Sequence, residues 1–329
     1  MLLLLRFTKV HKIVDSWKRA IEQLVCQLFL SFLQVLVRMV FDAYICTKLI
    51  VTACFLFNLC ENREFYVALW HKNQEDFNMM KKTVRILNVD ILSITQTDLL
   101  IQLKKGVLIT PNVDHLVKLQ KDKEFYEAYQ QAEWVLCDSR ILYLFSKFLK
   151  SSLPQAIPGS SFFTAFYQYH KDDPNCKIFL LGAAKGIAQK AMEEINNSIG
   201  RNIVVGAHSP SYGFEKDEKE CSQIIEIIRK SGANVLLVGV GAPKQEKWIV
   251  KYKGDLPEID LFMGLGATID FEAKTLKRSP LFLQKIGLEW LYRCIKEPKR
   301  LFKRYFIDDM QFFYYFGKQL LHTYKNPFS

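Results

Sequence analysis

The stretch VGVGAPKQEKW at 238–248 combines the ingredients of an anion site. A run with buried-strand character, 234–238, enters a turn of small residues and leaves as a helix. Such a turn presents unpaired backbone N–H groups and the positive end of a helix to a phosphate. Gly239, Gly241 and Ala242 let a ligand approach the backbone, and Lys244 and Gln245 add a charge and an amide at the mouth. Pro243 suits the first helical turn, where a missing N–H costs nothing. An ordinary strand–helix turn has the same composition, so the reading depends on the motifs around it.

A second group of side chains can handle protons. TPNVDH at 110–115 places Thr110, Asn112 and Asp114 where a buried strand runs out. Pro111 ends the ladder, and Asn112 or Asp114 can cap the next helix. Capping is the preferred reading for Asp114, whereas Thr110 and Asn112 put hydrogen-bonding groups at the ligand edge of a sheet. Asp138, in WVLCDSR at 134–140, ends the next strand and sits beside Thr110 if the two strands are neighbours. A carboxylate there can take the proton from a sugar hydroxyl as it attacks an anomeric carbon; the competing role is a helix N-cap. Gly159 and Ser160 open a helix and can contact phosphate or sugar, although a cap explains Ser160 nearly as well. Gly182 belongs to another strand–glycine–helix turn, LLGAA at 180–184, and Gly264 and Gly266 to a third, GLGATIDF at 264–271. The last pair serves either ligand approach or close packing.

These residues need a scaffold, and the hydrophobic pattern supplies one. From residue 84 strand-like runs at 84–89, 106–110, 134–137, 177–181, 203–205, 234–240 and 259–265 alternate with helical stretches at 114–131, 160–170, 184–199, 216–231 and 243–252. The pattern predicts an α/β fold: a Rossmann-like, mostly parallel sheet flanked by helices. Ligands of such sheets bind beyond the carboxyl ends of the strands, where the motifs fall. The core is expected over 81–278, a hydrophobic helical extension over 1–80, and a basic, aromatic helical appendage over 279–329.

Residues 1–80 contain no Gly or Pro. Their apolar stretches, 24–37 and 43–59, fall short of the roughly 20 residues of a membrane span, and Arg38, Asp42 and Lys48 interrupt them. Three readings stand: one or two membrane helices, amphipathic helices on a membrane or on the core, or an upstream extension with Met79 or Met80 as the natural start. The apolar N-terminus lacks the order and cleavage site of a secretory signal.

Among the 329 residues, 50% are hydrophobic and 24% charged, enough for a sizeable core, and the formal net charge is +11. That charge points to an anionic partner: nucleic acid, a phosphorylated substrate or a membrane surface. The eight cysteines show no CxxC spacing and read as reduced core residues. The six histidines show no metal-ligand spacing, so no metal is expected. A nicotinamide enzyme predicts GxGxxG at its first βα turn, and no glycine follows the first strand here. Basic residues concentrate beside aromatic ones in the tail, without a recognised nucleic-acid motif, which fits a helix on an anionic membrane. A charged helix packing its aromatics on the core is the competing reading.

In this order the motifs resemble those of the WecG/TagA/CpsF family of bacterial glycosyltransferases. The resemblance covers roughly 84–306 and rests on TPNVDH at 110–115, Asp138, PGS at 158–160, Leu181 and Gly182, GVGAPKQE at 239–246, GLGA at 264–267 with Asp270 and Phe271, and GLEWLYR at 287–293 followed by Glu297 and Pro298. It implies an inverting, metal-independent enzyme without cofactor. Such an enzyme moves N-acetylmannosamine, its uronic acid or a related hexose from a UDP-sugar to N-acetylglucosamine on a polyprenyl diphosphate, for surface polysaccharides. It makes Asp138 the general base, with Thr110 and Asn112 positioning substrate and base. Gln245 and the backbone at Gly241 and Ala242 would hold the donor or the departing diphosphate. Arg293, Arg300, Lys303 and Arg304 recur at spacings that bring them near one face of a continuous helix, and the resemblance implies that this tail closes over the site and touches the lipid diphosphate. The implied location is the cytoplasmic face of the bacterial plasma membrane, peripheral or anchored through 1–80. A homo-oligomer is left open, as is a non-catalytic protein of the same fold that binds UDP-sugar or lipid diphosphate. One departure stands out: many members carry Arg and Asp where this chain has Ala156 and Ser161, and if that arginine binds a phosphate, another basic residue, with Arg140 a candidate, must take its place.

Overall fold

The computed structural model describes residues 82–276, 289–296 and 303–329. The expectations for residues 1–80 lie outside the described residues.

Six strands form one parallel sheet: β3 (Gly106–Ile109), β4 (Trp134–Val135), β5 (Ile178–Gly182), β6 (Val204–His208), β7 (Val235–Gly239) and β8 (Leu261–Gly264). Their spatial order is β4-β3-β8-β7-β5-β6. The central strands are apolar along their whole length because both faces are covered. Alternate side chains feed two cores. Val107, Ile109, Leu236, Val238 and Phe262 pack on one face, with α2 (Val113–Lys118), α3 (Lys123–Gln130), α7 (Glu218–Ser231) and α8 (Lys244–Tyr252). Leu108, Val235, Leu237, Leu261 and Met263 pack on the other, with α1 (Gln96–Gln102), α5 (Gly159–Tyr169), α6 (Ile187–Ile199) and α9 (Thr268–Glu272). The helix after β3 thus covers one face and the helix after the adjacent β8 covers the other. Chain departures to opposite faces leave a crevice at the carboxyl ends of these strands.

Two elements differ from the pattern in the sequence. The run at 84–89 is not a strand of the parallel sheet. It is half of an antiparallel hairpin, β1 (Thr83–Ile86) with β2 (Val89–Leu92), in register Val84↔Ile91. The chain reverses at Leu87 and Asn88, with Leu87 at φ 54°. Asn88 tolerates burial because its Nδ2 donates to the Leu119 carbonyl at 2.9 Å and its Oδ1 accepts from Gln120 Nε2 at 2.7 Å. The expected helix over 114–131 breaks between α2 and α3, where Asp122 accepts from Phe125 N at 3.0 Å and caps α3. Short α4 (Arg140–Ser146) follows β4 and has no counterpart in the sequence reading.

The described part of the tail comprises α10 (Glu289–Lys296), a π-helical turn (Arg304–Asp308) and α11 (Gln311–Leu320). Phe312 and Phe316, one helical turn apart, are buried, and both meet the ring of Phe145 in α4 at 5.5 and 5.1 Å. Gln319 reaches the hairpin, where it accepts from Leu87 N and donates to the Arg85 carbonyl, both at 2.8 Å. This aromatic face of α11 is therefore part of the core. Among the described residues no helix is long and apolar enough to cross a membrane.

Candidate active site

The crevice is lined first by the ends of β3 and β4. Strand-type pairing continues past the last ladder residues, with Leu136 N donating to the Ile109 carbonyl at 2.9 Å and Asp138 N to the Pro111 carbonyl at 3.2 Å. That lays Asp138 beside the Thr110–Asn112 segment. The chain then returns, and Gly159 N at the start of α5 donates to Asp138 Oδ1 at 2.7 Å. The carboxylate therefore faces the positive end of α5. A Cβ on Gly159 would lie 3.2 Å from Thr110 Oγ1 and 3.0 Å from Leu265 Cδ2. Thr110, Asp138, Gly159 and Leu265, from four separate segments, thus meet at one point. Asn112 caps α2, its Oδ1 accepting from His115 N at 3.1 Å.

The second wall is built from the glycine turns after β7 and β8. Gln245, in the first turn of α8, is buried, and its Oε1 accepts from Gly241 N at 3.2 Å and Gly266 N at 3.0 Å. One amide oxygen thereby ties the two turns together. Gly241 has φ +85° and open space where a Cβ would point. Gly182 and Gly239 have the opposite surroundings: a Cβ on Gly182 would lie 2.5 Å from the Gly239 carbonyl oxygen, and one on Gly239 2.6 Å from that of Gly266. These two glycines allow backbones to touch, while Gly241 leaves open space beside its turn.

Beneath both walls lies a buried polar layer. His115 Nδ1 is 2.7 Å from the Tyr129 hydroxyl. Burial lowers the His115 pKa to about 3, so the ring is neutral. Burial raises the Tyr129 pKa well above its ordinary value, with the charges of Glu246, Asp138 and Asp114 adding to the effect. Glu246 Oε1 accepts from Gln245 Nε2 at 2.8 Å, and burial lifts its carboxyl to about 7. Asp114 forms ion pairs with Lys118 at 2.8 Å and with Arg304 of the tail at 3.1 Å. No three His, Cys, Asp or Glu side chains are grouped as metal ligands among the described residues.

An acidic side chain, a hydroxyl and two glycine turns thus share one edge of the sheet. The model of the glycosyl transferase WecG/TagA/CpsF family matches residues 84–326. The chain belongs to this family. Among curated relatives, an N-acetylglucosaminyldiphosphoundecaprenol N-acetyl-beta-D-mannosaminyltransferase of Bacillus spizizenii (strain ATCC 23059 / NRRL B-14472 / W23) is 27% identical over 205 residues, 62% of this chain and 77% of the relative. The protein is accordingly a glycosyltransferase of the hexosyltransferase class.

Within this WecG/TagA/CpsF transferase the expected residues divide. Thr110, Asp138 and Gly159 converge. Ser160 lies within the first turn of α5, whose N-cap position is Pro158 rather than Ser160. Asp138 caps α5 from a distance and not the helix that follows it, which starts after Ser139. Asn112 is a cap as well as a neighbour of the site, and Asp114 is an ion-pair centre instead of a cap. Gln245 is held inside the wall by three hydrogen bonds. Ala242 precedes Pro243 through a cis peptide. Lys244 turns away to Glu215, at 2.9 Å, and lies 4.7 Å from the ring centre of Tyr212. The exposed Arg140 lies over Tyr143, at 5.7 Å from its ring centre. Arg304 meets Asp114, while the Arg293 side chain and all of Arg300 lie outside the described residues. Sequence reasoning passed over Glu246, His115 and Tyr129. An acid inside an otherwise apolar helix face, as Glu246 is against Trp248 and Ile249, was the available signal.

Proposed function

We propose that this enzyme transfers N-acetylmannosamine, or its uronic acid or a related hexose, from a UDP-sugar to N-acetylglucosamine on a polyprenyl diphosphate, with inversion and without a metal ion. The name of the Bacillus relative supports both the sugar and the lipid-linked acceptor. The observation that carries the chemistry is the Asp138 carboxylate, held by Gly159 N–H at the point where Thr110 and Leu265 also meet. Asp138 takes the proton of the acceptor hydroxyl as that oxygen bonds to the anomeric carbon. The bond from the anomeric carbon to the diphosphate oxygen breaks, and UDP leaves. The N–H groups of Gly241 and Gly266 are taken up by Gln245, so the charge that develops on the leaving group is met by the other N–H groups of these turns and by the positive end of α8. An acceptor carried by a lipid brings the enzyme to the membrane surface. Exposed Phe148, Tyr314, Leu320 and Leu321, with Lys147 and Lys318 nearby in sequence, support an anionic membrane contact.

The test is UDP release by the full chain supplied with UDP-N-acetylmannosamine and a short-chain polyprenyl-diphosphate N-acetylglucosamine, in EDTA. Acceptor-dependent release that disappears in Asp138→Ala is expected, with the fold retained by circular dichroism. Near wild-type turnover of that variant would remove Asp138 as base. No release with any UDP-hexosamine in a panel would refute the donor class.

A further inference from the structure

Glu246 is wholly buried in the first turn of α8, and its Oε2 has no hydrogen-bond partner among the described residues. Burying an unpaired acid is costly, and nothing in the transfer chemistry uses this one directly. Besides its own backbone N–H, its hydrogen-bond partner among the described residues is Gln245, whose own oxygen is taken up by Gly241 N and Gly266 N. Two backbone donors on one side fix the Gln245 oxygen there, so the amide NH2 must face an acceptor. Glu246 Oε1 is that acceptor. Reversing the amide would set NH2 against two N–H groups and break all three bonds.

We propose that Glu246 is a positioning residue that acts through Gln245, holding the turns after β7 and β8 at the separation the nucleotide-sugar donor needs. The donor part rests on the function proposed above; the clamp itself does not. The acceptor role survives protonation when the proton sits on Oε2. The charge on Glu246 then becomes a control on the donor. An ionised carboxylate beneath the turns opposes a diphosphate above them, whereas a neutral one does not. Burial lifts the pKa of this carboxyl to about 7, so its charge changes across neutral pH. The groups facing it are Asp114 and Lys118 on α2, Tyr129 on α3, with His115 hydrogen-bonded to that tyrosine, and Gln245 on its own helix; Asp122, which caps α3, and Glu124 are engaged by Lys247 at 2.9 and 2.7 Å.

Two variants separate clamp from filler. Glu246→Gln keeps shape and acceptor but cannot ionise, and Glu246→Leu removes the acceptor. Hydrogen exchange of full-length protein, followed by mass spectrometry, reads the clamp without any donor. Peptides over 239–245 and 264–268 should exchange about tenfold faster in Glu246→Leu and as in wild type in Glu246→Gln, on the scale of a lost buried hydrogen bond. In the transfer assay wild-type donor KM should rise severalfold from pH 6 to 8.5 with acceptor KM steady, and Glu246→Gln should abolish that rise. Unchanged exchange in a folded Glu246→Leu protein overturns the clamp. If Glu246→Leu does not fold, a Glu246→Gln pH profile matching wild type overturns the proposal by itself. A wild type that ignores UDP-sugars sinks the donor assignment and leaves the exchange result to decide the clamp.

Discussion

Gly159→Ala tests the reacting point with a single carbon. The backbone at Gly159 is ordinary helix, so the alanine is not strained by conformation. Replacing glycine here lowers unfolded-chain entropy and favours folding by about 0.4–1 kcal/mol. The new Cβ, however, would sit 3.0 Å from Leu265 Cδ2 and 3.2 Å from Thr110 Oγ1. Ordinary contacts begin near 3.5 Å, so each neighbour must give by roughly 0.3–0.5 Å. Leu265 can turn its flexible end, but Thr110 is buried and branched at Cβ, with few rotamers to choose from. Overpacking of this kind costs about 1–3 kcal/mol, so the net loss is about 0–2.6 kcal/mol, a fall in Tm of no more than about 10 °C. Activity should suffer more. A misplacement of 1 Å at a reacting group costs about a hundredfold, and half of that, shared between the Thr110 hydroxyl and the N–H that holds Asp138, predicts a drop in kcat of about tenfold. Thermal unfolding and UDP release on the same sample measure both. Adding Leu265→Val removes Cδ2 and should restore stability without restoring kcat. A folded Gly159→Ala enzyme with wild-type kcat would show that Thr110, Gly159 and Asp138 do not form the reacting point.

Two further outcomes follow from the buried charges. Asp114→Asn leaves Arg304 and Lys118 without their carboxylate and should destabilise by about 2 kcal/mol. Combined with Arg304→Met in a double-mutant cycle, it should show a coupling of about 1 kcal/mol, and zero coupling in urea unfolding would dismiss the pair as a tie between tail and core. For Glu246 the folded-state pKa, about 7, lies above the ordinary 4.5. Its protonated form therefore contributes stability that is complete below pH 4.5 and is lost as pH rises through 7. Relative to wild type, Glu246→Gln should gain about 3 kcal/mol between pH 4.5 and 8. His115 acts with the opposite sign in both proteins, since its pKa is lowered to about 3 and its contribution fades as pH falls below 6.5. A difference between the two proteins that does not vary with pH would mean that Glu246 is not held protonated near neutrality.

The sequence by itself determined the layered α/β architecture and the edge of the sheet where chemistry sits. Runs such as VLLVG at 235–239 leave no solvent-facing alternation, which only a strand covered on both faces tolerates. Glycine and proline mark where each strand stops, so Thr110, Asp138, Gly159 and Gly241 could be placed at strand exits and helix starts from local pattern alone. Local pattern stops at the turn itself. Which exits become neighbours depends on strand order, and β8 inserting between β3 and β7 is a long-range choice with no signature in any window of residues. The same holds for ownership of a side chain. Asp138 and Gly159 are 21 residues apart, and Asn112, Asp114 and Gln245 each had several credible partners in sequence. Tertiary packing decided among them, because a buried polar group must be satisfied by whatever the fold brings within about 3 Å. It also decided that Leu87 and Asn88 turn a hairpin, and that Phe312 and Phe316 enter the core. In both cases burial against distant elements overrode a local pattern that allowed more than one outcome.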